Sequence, residues 1–520
     1  MASGVGFVGF FSRRAWRVWG WVSRVVGKSL NWLGWWLPLG LVAFGLLVGD
    51  GALAWSGEVG GVPVEVGGYL ETRQVFRVDR ATPQELNRQR LQLNVRSWLS
   101  ERLFLEIDSS LQNGGPATRA SSAGFYNIDD VFQSRAPAVE IEEAFLRYDF
   151  DSLSIRAGQI KHAWGKLDRY QPNDGLNPER FADPLLLDEA DRKIGVPSIE
   201  AEYFLPDRDW LPEEASLRVV VVPRYVPFRL PLAGERWFPP NAVPPPTFSA
   251  GAIDVPLTLE TDNAPLPAFT AANATYAARF AAHYSGVDYA LYYQHGIQTA
   301  PLFRLDARAD VTPEDPFVVG TTILSPVFNK VQTWGGDLAF TLGRFGFRAE
   351  LAYTRGRGFN RDLLTLVDEP ALADTVEEAI KAIAGGATSV PVDLGKTFAI
   401  SDALQWGVGV DTRVEKIDLL LEVSQTDVLE RTVPLLITPT ETVILADVRR
   451  SFLRDDLTLQ LVSVYGASSD YTALMPRLTY RFHDRIEARL GYLHIAGRSR
   501  SRLGQYKDND EGFIRLRLYL

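Results

Sequence analysis

Apolar and polar residues alternate with a period of two along much of the chain. Leu91, Leu93 and Val95 mark one such segment, Leu103, Leu105 and Ile107 the next, and Ala144, Leu146, Tyr148 and Phe150 a third. The pattern recurs at Ile199, Ala201, Tyr203 and Leu205, at Leu338, Phe340 and Leu342, and at Ala349, Leu351 and Tyr353. It continues through Trp406, Val408 and Val410, then Leu419, Leu421 and Val423, then Leu457, Leu459 and Leu461. Ile486, Ala488, Leu490 and Tyr492 follow, and a final stretch sets Ile514, Leu516, Leu518 and Leu520 against Arg515, Arg517 and Tyr519. Successive side chains of a strand point to opposite faces, so each segment has one apolar and one polar face. Segments of about ten residues cross a bilayer when the strand is tilted. The prediction is an all-β chain, a transmembrane antiparallel β-barrel with lipid on one face and a polar lumen on the other.

A soluble sandwich also alternates, and connection lengths separate the two. Tight turns are expected at Ser100 and Glu101, Asp151, Ser285 and Gly286, Gly343 and Arg344, Glu415 and Lys416, residues 453–455, and His483 and Asp484. Longer connections cover residues 113–138, 162–197, 226–273, 298–329, 356–401, 428–441 and 497–510. Short and long alternate, as they do when one rim faces the periplasm and the other faces outside. The count is about eighteen strands, an even number that puts both termini on the periplasmic side. Trp98, Tyr203, Phe204, Tyr225, Tyr284, Trp334, Tyr465 and Tyr480 fall at strand ends, where amphipathic rings sit at the headgroup level. Ordinary strand composition favours the same residues.

A length of 520 residues would imply several soluble domains, but a barrel keeps growing because its apolar face meets lipid. Cysteine is absent, which suits an oxidising compartment. The net charge of −10 argues against nucleic acid as a partner. Arg13, Arg14, Arg17, Arg24 and Lys28 precede an apolar run over residues 32–48, and Ala52, Leu53 and Ala54 supply a small-x-small cleavage site. Residues 1–54 are therefore expected to be a signal peptide, removed after Ala54 on the general secretory route. The rival reading, a retained transmembrane anchor, is opposed by Pro38 and the glycines within the run. Ser12, Arg13 and Arg14 resemble a twin-arginine signal, which a chain that crosses the inner membrane unfolded does not need. Residues 55–520 are the expected barrel in the outer membrane of a Gram-negative cell. Its partners are outer-membrane lipids and, through the C-terminal strand, the barrel-assembly machinery.

Candidate chemistry is sparse. None of the five histidines has a metal-ligand spacing, and neither a nucleophile elbow nor a P-loop occurs. His283 and Ser285 form the nearest serine-histidine pair and lack a third partner. Neither enzymatic activity, nor a cofactor, nor a metal is expected. In the connection after residue 356, Pro370, Leu372, Val376, Ile380 and Ile383 keep helical spacing between Asp368 and Gly385–Gly386. This predicts a short helix over residues 368–386 in an extracellular loop. Residues 226–273 are proline-rich and read as an ordered extracellular cover.

The most unusual composition lies between Arg156 and Pro197. An R-x-G-Q strand end is followed by Ala163-Trp164-Gly165-Lys166, then Asp174-Gly175-Leu176-Asn177-Pro178, then Asp191-Arg192-Lys193-Ile194-Gly195-Val196-Pro197. This pattern resembles a family of porin-like proteobacterial outer-membrane proteins of unknown function. The resemblance implies a barrel porin, as a monomer or a homo-oligomer. It also implies a second possibility, since some members accompany a periplasmic partner and an inner-membrane transporter: an export conduit for lipid, polymer or another large substrate.

Residues 162–197 are long enough to fold back into the lumen. They and the residue before them carry Lys161, His162, Lys166, Asp168, Arg169, Asp174, Arg180, Asp191, Arg192 and Lys193. Radius and charged side chains set selectivity in pores, so this is the candidate constriction loop. The alternative is an external loop knitted by its own salt bridges. On the strands, alternation turns Arg73, Arg77, Arg90, Arg96, Arg147, Arg156, Arg477, Arg481, Arg489, Arg515 and Arg517 inward. Closure would join them into one wall, with Glu71, Glu106, Asp108, Glu143 and Glu487 among them. Such a wall orients charged solutes. The expected function is passive diffusion of small hydrophilic solutes, anionic or zwitterionic ones above all. An adhesive or structural barrel is the remaining alternative.

Overall fold

The computed structural model describes residues 55–520 apart from 79–83, 114–137, 181–188, 207, 209–211, 230, 232–235, 251–252, 262–265, 312–317 and 431–432. The expected signal peptide and its cleavage site lie outside the described residues, as does most of the connection over 113–138.

In chain order the strands are β1 (Trp55–Val59), β2 (Val62–Arg77), β3 (Gln84–Trp98), β4 (Leu103–Asn113), β5 (Ala138–Asp149), β6 (Leu153–Ile160), β7 (Val196–Phe204) and β8 (Glu213–Val222). Then come β9 (Thr247–Ala250), β10 (Ile253–Thr261), β11 (Thr275–Tyr284), β12 (Val287–Ile297), β13 (Leu302–Asp310), β14 (Val319–Val327), β15 (Lys330–Leu342) and β16 (Phe345–Asn360). The last are β17 (Ser389–Val392), β18 (Phe398–Val414), β19 (Ile417–Val428), β20 (Thr440–Phe452), β21 (Leu457–Gly466), β22 (Tyr471–His483), β23 (Ile486–Gly497) and β24 (Glu511–Tyr519). Among the described residues two α-helices join them, α1 (Glu189–Arg192) and α2 (Pro370–Ala384).

Eighteen strands form one closed antiparallel barrel: β2 to β8, β11, β12, β15, β16 and β18 to β24. Closure comes from β24 pairing with β2, with Tyr519 opposite Tyr69 and Glu511 opposite Arg77. A closed sheet leaves no unpaired edge, the condition for strands to cross a bilayer. β1 folds back on the start of β2, with Trp55 opposite Val66. The outward face carries the alternating apolar set: Leu146, Ile199, Leu291, Leu351, Val408, Leu421, Leu461 and Leu490 are all exposed. Tyr293, Trp334 and Tyr353 stand side by side on the same face of three neighbouring strands. Trp98 departs from the expected outward aromatic belt. It follows Arg96 on the inward face, 5.1 Å from the Phe104 ring, with the Arg147 guanidinium 5.2 Å from Trp98.

The long connections do more than join strands. Three of them, on the rim above β8 to β18, pool β9, β10, β13, β14 and β17 into a separate five-stranded sheet. Helix α2 packs on it through Leu372 and Val376, against a core that includes Phe238, Phe248, Val255, Leu305 and Leu324. This cap contains the helix expected over 368–386, which runs from Pro370 to Ala384 and is preceded by a 3-10 turn at Leu363–Asp368.

Candidate functional site

The chain after β6 turns into the barrel, and its stem is braced by two buried polar residues. The His162 backbone N–H donates to Asn177 Oδ1 at 2.7 Å. Asn177 Nδ2 donates in turn to the carbonyls of Ile160 (3.2 Å) and Ile194 (2.7 Å), so one side chain ties the outgoing and returning arms together. The His162 ring lies between two residues of β7, with Nδ1 3.1 Å from Glu200 Oε2 and Nε2 3.1 Å from Ser198 Oγ. Burial lowers the His162 pKa, against the opposing pull of Glu200. Sequence spacing concealed this serine-histidine-glutamate chain, because its members come from a loop and from the strand that follows it. Ser198 is 4% exposed and offers no open face to an acyl donor, so the chain serves as a brace. His283 and Ser285 form no pair. His283 Nδ1 instead lies 2.8 Å from Asp288, and its Nε2 accepts from the Gly286 N–H at the turn.

Beyond the stem, Trp164 packs on Tyr292 at 5.4 Å between ring centres, within a buried cluster that includes Leu176, Ile194, Val196 and Val220. The tip then runs along the far wall, held by carboxylates that point inward from the strands. Glu350 of β16 accepts from the N–H groups of Lys166 (2.5 Å), Leu167 (2.7 Å) and Asn173 (3.4 Å). Glu422 of β19 accepts from the N–H of Asp168 at 2.6 Å. Arg348 pairs with Asp168, Lys166 Nζ lies 3.7 Å from Asp288, and Arg169 reaches Asp447 of β20 at 3.4 Å. The Tyr170 hydroxyl lies 2.6 Å from Thr426 Oγ1. In barrel order β20 stands nine places from β6, which is the opposite side of an eighteen-strand ring. Glycine makes the approach possible. A side chain at Gly407 would strike Leu167, and one at Gly335 would strike Asn173.

The returning arm goes back to the near wall. Asp174 pairs with Lys193, and the Arg180 N–H donates to the Arg192 carbonyl at 2.8 Å. Arg180 reaches Glu140 at 2.7 Å, Asp191 accepts from Arg90 at 3.0 Å, and Lys161 reaches Glu142 at 2.6 Å. Burial by itself would raise the Asp191 pKa, but the Arg90 and Arg88 guanidiniums outweigh it and hold the carboxyl well below its usual range. One of these ion pairs is internal to the loop. The others run from loop to barrel, which is unlike an external loop knitted to itself.

The inward arginines gather at the seam. Arg88, Arg73, Arg515 and Arg489 occupy a single row across β3, β2, β24 and β23, each directly opposite the next. The neighbouring row alternates in sign: Arg90, Glu71, Arg517, Glu487 and Arg481. Like charges directly opposite each other destabilise a sheet, and the diagonal carboxylates offset this. Glu71 lies 3.4 Å from Arg88 and 2.7 Å from Arg517, and Glu487 lies 2.8 Å from Arg515 and 3.6 Å from Arg489. Arg77 stands opposite Glu511 at the long-loop end, and Arg477 sits opposite Gly491 in the row above the like-charged one. The remaining predicted residues lie apart from the seam. Arg147 and Arg156 face each other on β5 and β6, Arg156 reaching Glu200 at 2.6 Å, and Arg96 pairs with Glu106 at 3.0 Å. Arg73, Arg90, Arg477 and Arg515 are buried, whereas Arg96 and Arg481 are exposed.

No family model matches the sequence, and no curated protein does so. The fold is similar to that of several solved outer-membrane proteins at low identity. OmpF of Salmonella typhi, solved in complex with daunomycin, is 8% identical over 90% of this chain and 100% of its own, with a TM-score of 0.37. OccAB4 of Acinetobacter baumannii is 12% identical over 88% of this chain and 97% of its own, with a TM-score of 0.43. OpdK of Pseudomonas aeruginosa, solved with vanillate, is 9% identical over 88% and 97%, again with a TM-score of 0.43.

Proposed function

We propose that the protein is an outer-membrane channel for passive diffusion of small hydrophilic solutes, with residues 162–197 as its constriction and the seam arginines as its source of anion preference. The observation that carries this reading is the path of the loop. It leaves β6, is clamped by Glu350 and Glu422, and reaches Asp447 on the opposite wall. A segment held at both ends inside a barrel narrows the bore at a fixed height. The same clamps occupy the carboxylates of the far wall, while the seam carries a like-charged row. A row of like charges in a low-dielectric wall biases the potential of the lumen toward anions, even from side chains with little exposure. Short turns then face the periplasm, and the cap faces outside. Planar-bilayer recordings of the purified protein, with reversal potentials under a salt gradient, test the proposal. Discrete conductance with anion preference is expected. Absence of conductance from folded protein would leave the export conduit as the better reading.

A further inference from the structure

Trp237 and Phe238 are consecutive, yet they belong to different bodies. Phe238 is part of the cap core, its ring 5.8 Å from Phe303. Trp237 is buried against the inner wall of the barrel among Val75, Val462, Met475, Leu493, Ile495 and Phe513. These six residues come from β2, β21, β22, β23 and β24, the seam side, whereas the cap is rooted on the rim above β8 to β18. The cap therefore spans the mouth and is fastened at its free edge. Polar contacts surround the fastening. Arg236 lies 3.3 Å from Glu511, Asn241 Nδ2 donates to the Ser499 carbonyl at 3.0 Å, and Asn509 Nδ2 donates to the Arg236 carbonyl at 2.7 Å.

The wall beneath Trp237 is apolar on its inward face, which is unusual for a water-filled lumen. Val75 and Phe513 stand directly opposite each other, two residues above Arg73 and Arg515, and the Arg73 guanidinium lies 5.5 Å from the Phe513 ring. Leu503 and Tyr506 of the β23–β24 connection pack on the same patch, the Tyr506 ring 5.5 Å from that of Trp237, so the cap and this connection together close it from outside. We propose that the cap is a gate, hinged on the β8 to β18 rim and caught by Trp237, and that it controls access from outside to the seam arginines. The idea rests on the channel reading for its purpose but not for its test.

The chain has no cysteine, so a single one introduced at Ile495 reports whether the wall beneath Trp237 is covered. An impermeant maleimide applied to intact cells should label Ile495→Cys slowly, and adding Trp237→Ala should raise the rate by about tenfold or more, as expected when a local opening loses its main closing contact. A second variant keeps Trp237 in place and exchanges the Asn241–Ser499 hydrogen bond for a covalent link: a short thiol cross-linker between Asn241→Cys and Ser499→Cys should hold the cap down and stop labelling at position 495. Equal rates with and without Trp237, together with an unaffected rate in the cross-linked protein, would overturn the gate. Faster labelling in the Trp237→Ala protein with no conductance in a bilayer would keep the gate and remove the channel.

Discussion

Arg73 and Arg515 face each other directly across the seam that closes the barrel, and each has another arginine on its far side. The closure is therefore stitched by the carboxylates one row away, chiefly Glu71. Replacing Glu71 by Gln keeps the shape and removes the charge shared by Arg88, Arg515 and Arg517. Loss of one partner from a buried ion-pair network costs about 3–5 kcal/mol. The Glu71→Gln protein should unfold at clearly lower temperature in heat-modifiability gels. An unchanged transition would mean that water or other groups already screen the row.

The inward loop over residues 162–197, proposed as the constriction, gives a second prediction. Deleting residues 168–180 should raise single-channel conductance. Substituting Gly407 by Val should act in the same direction, because the new side chain would push Leu167 off the wall. Conductance equal to that of the unaltered protein in both variants would place the narrowest point elsewhere.

Acid should loosen the loop stem. His162 is held neutral by burial, so its stability contribution is full above the unfolded value of about 6.5 and falls as pH drops below it, where the released stem binds a proton that the buried ring resists. Asp191 acts in the same direction at lower pH, since its depressed pKa favours the folded loop only while the carboxyl is ionised. Proteolytic nicking within residues 162–197 should therefore increase between pH 7.5 and 5. In His162→Gln protein that part of the profile should flatten. A wild-type profile that stays level over this interval would show that the brace does not govern loop release.

Orientation can be read directly in cells. Cysteines placed singly at Asp374, on the cap helix, and at Gln505 should react with an impermeant reagent from outside, whereas cysteines at Glu415, in one short turn, and at His483, the last residue of β22 before another, should not. The reverse pattern would invert the barrel.

The terminal strand should be indispensable. Removing residues 516–520 strips β24 of its pairing with Tyr69 to Thr72, and each unsatisfied backbone group exposed to lipid costs several kcal/mol. The shortened protein should be degraded or fail to give a heat-modifiable band. A normal folded yield would show that the seam closes without those pairs.

The alternating segments were legible because lipid enforces strict alternation: Leu351 and Val408 have no polar rescue on the outward face. The cap strands were not, although Leu302–Asp310 alternates as cleanly as any barrel strand. Period two reports one buried face and does not say whether lipid or a local core covers it. The inward course of residues 162–197 was suggested by charge composition, but its clamps were hidden. Glu350 and Glu422 look like any inward acid until the loop backbone, more than 170 residues earlier, is seen to donate to them. Trp98 differs from the expected belt because an aromatic at a strand end satisfies an outward belt and an inward cluster equally well; its parity with Arg96 is the signal that separates the two.

The clamps also impose an order in time. The loop emerges before β16, β19 and β20, the strands that will hold its tip, and Trp237 precedes by more than 200 residues the β21 to β24 residues on which it sits. Contacts so distant along the chain form late and slowly. Until the final strand arrives, the barrel must remain an open sheet with its loop tip and cap unfastened. An assembly factor that shields such an intermediate would be protecting these two segments as much as the bare edges of the sheet.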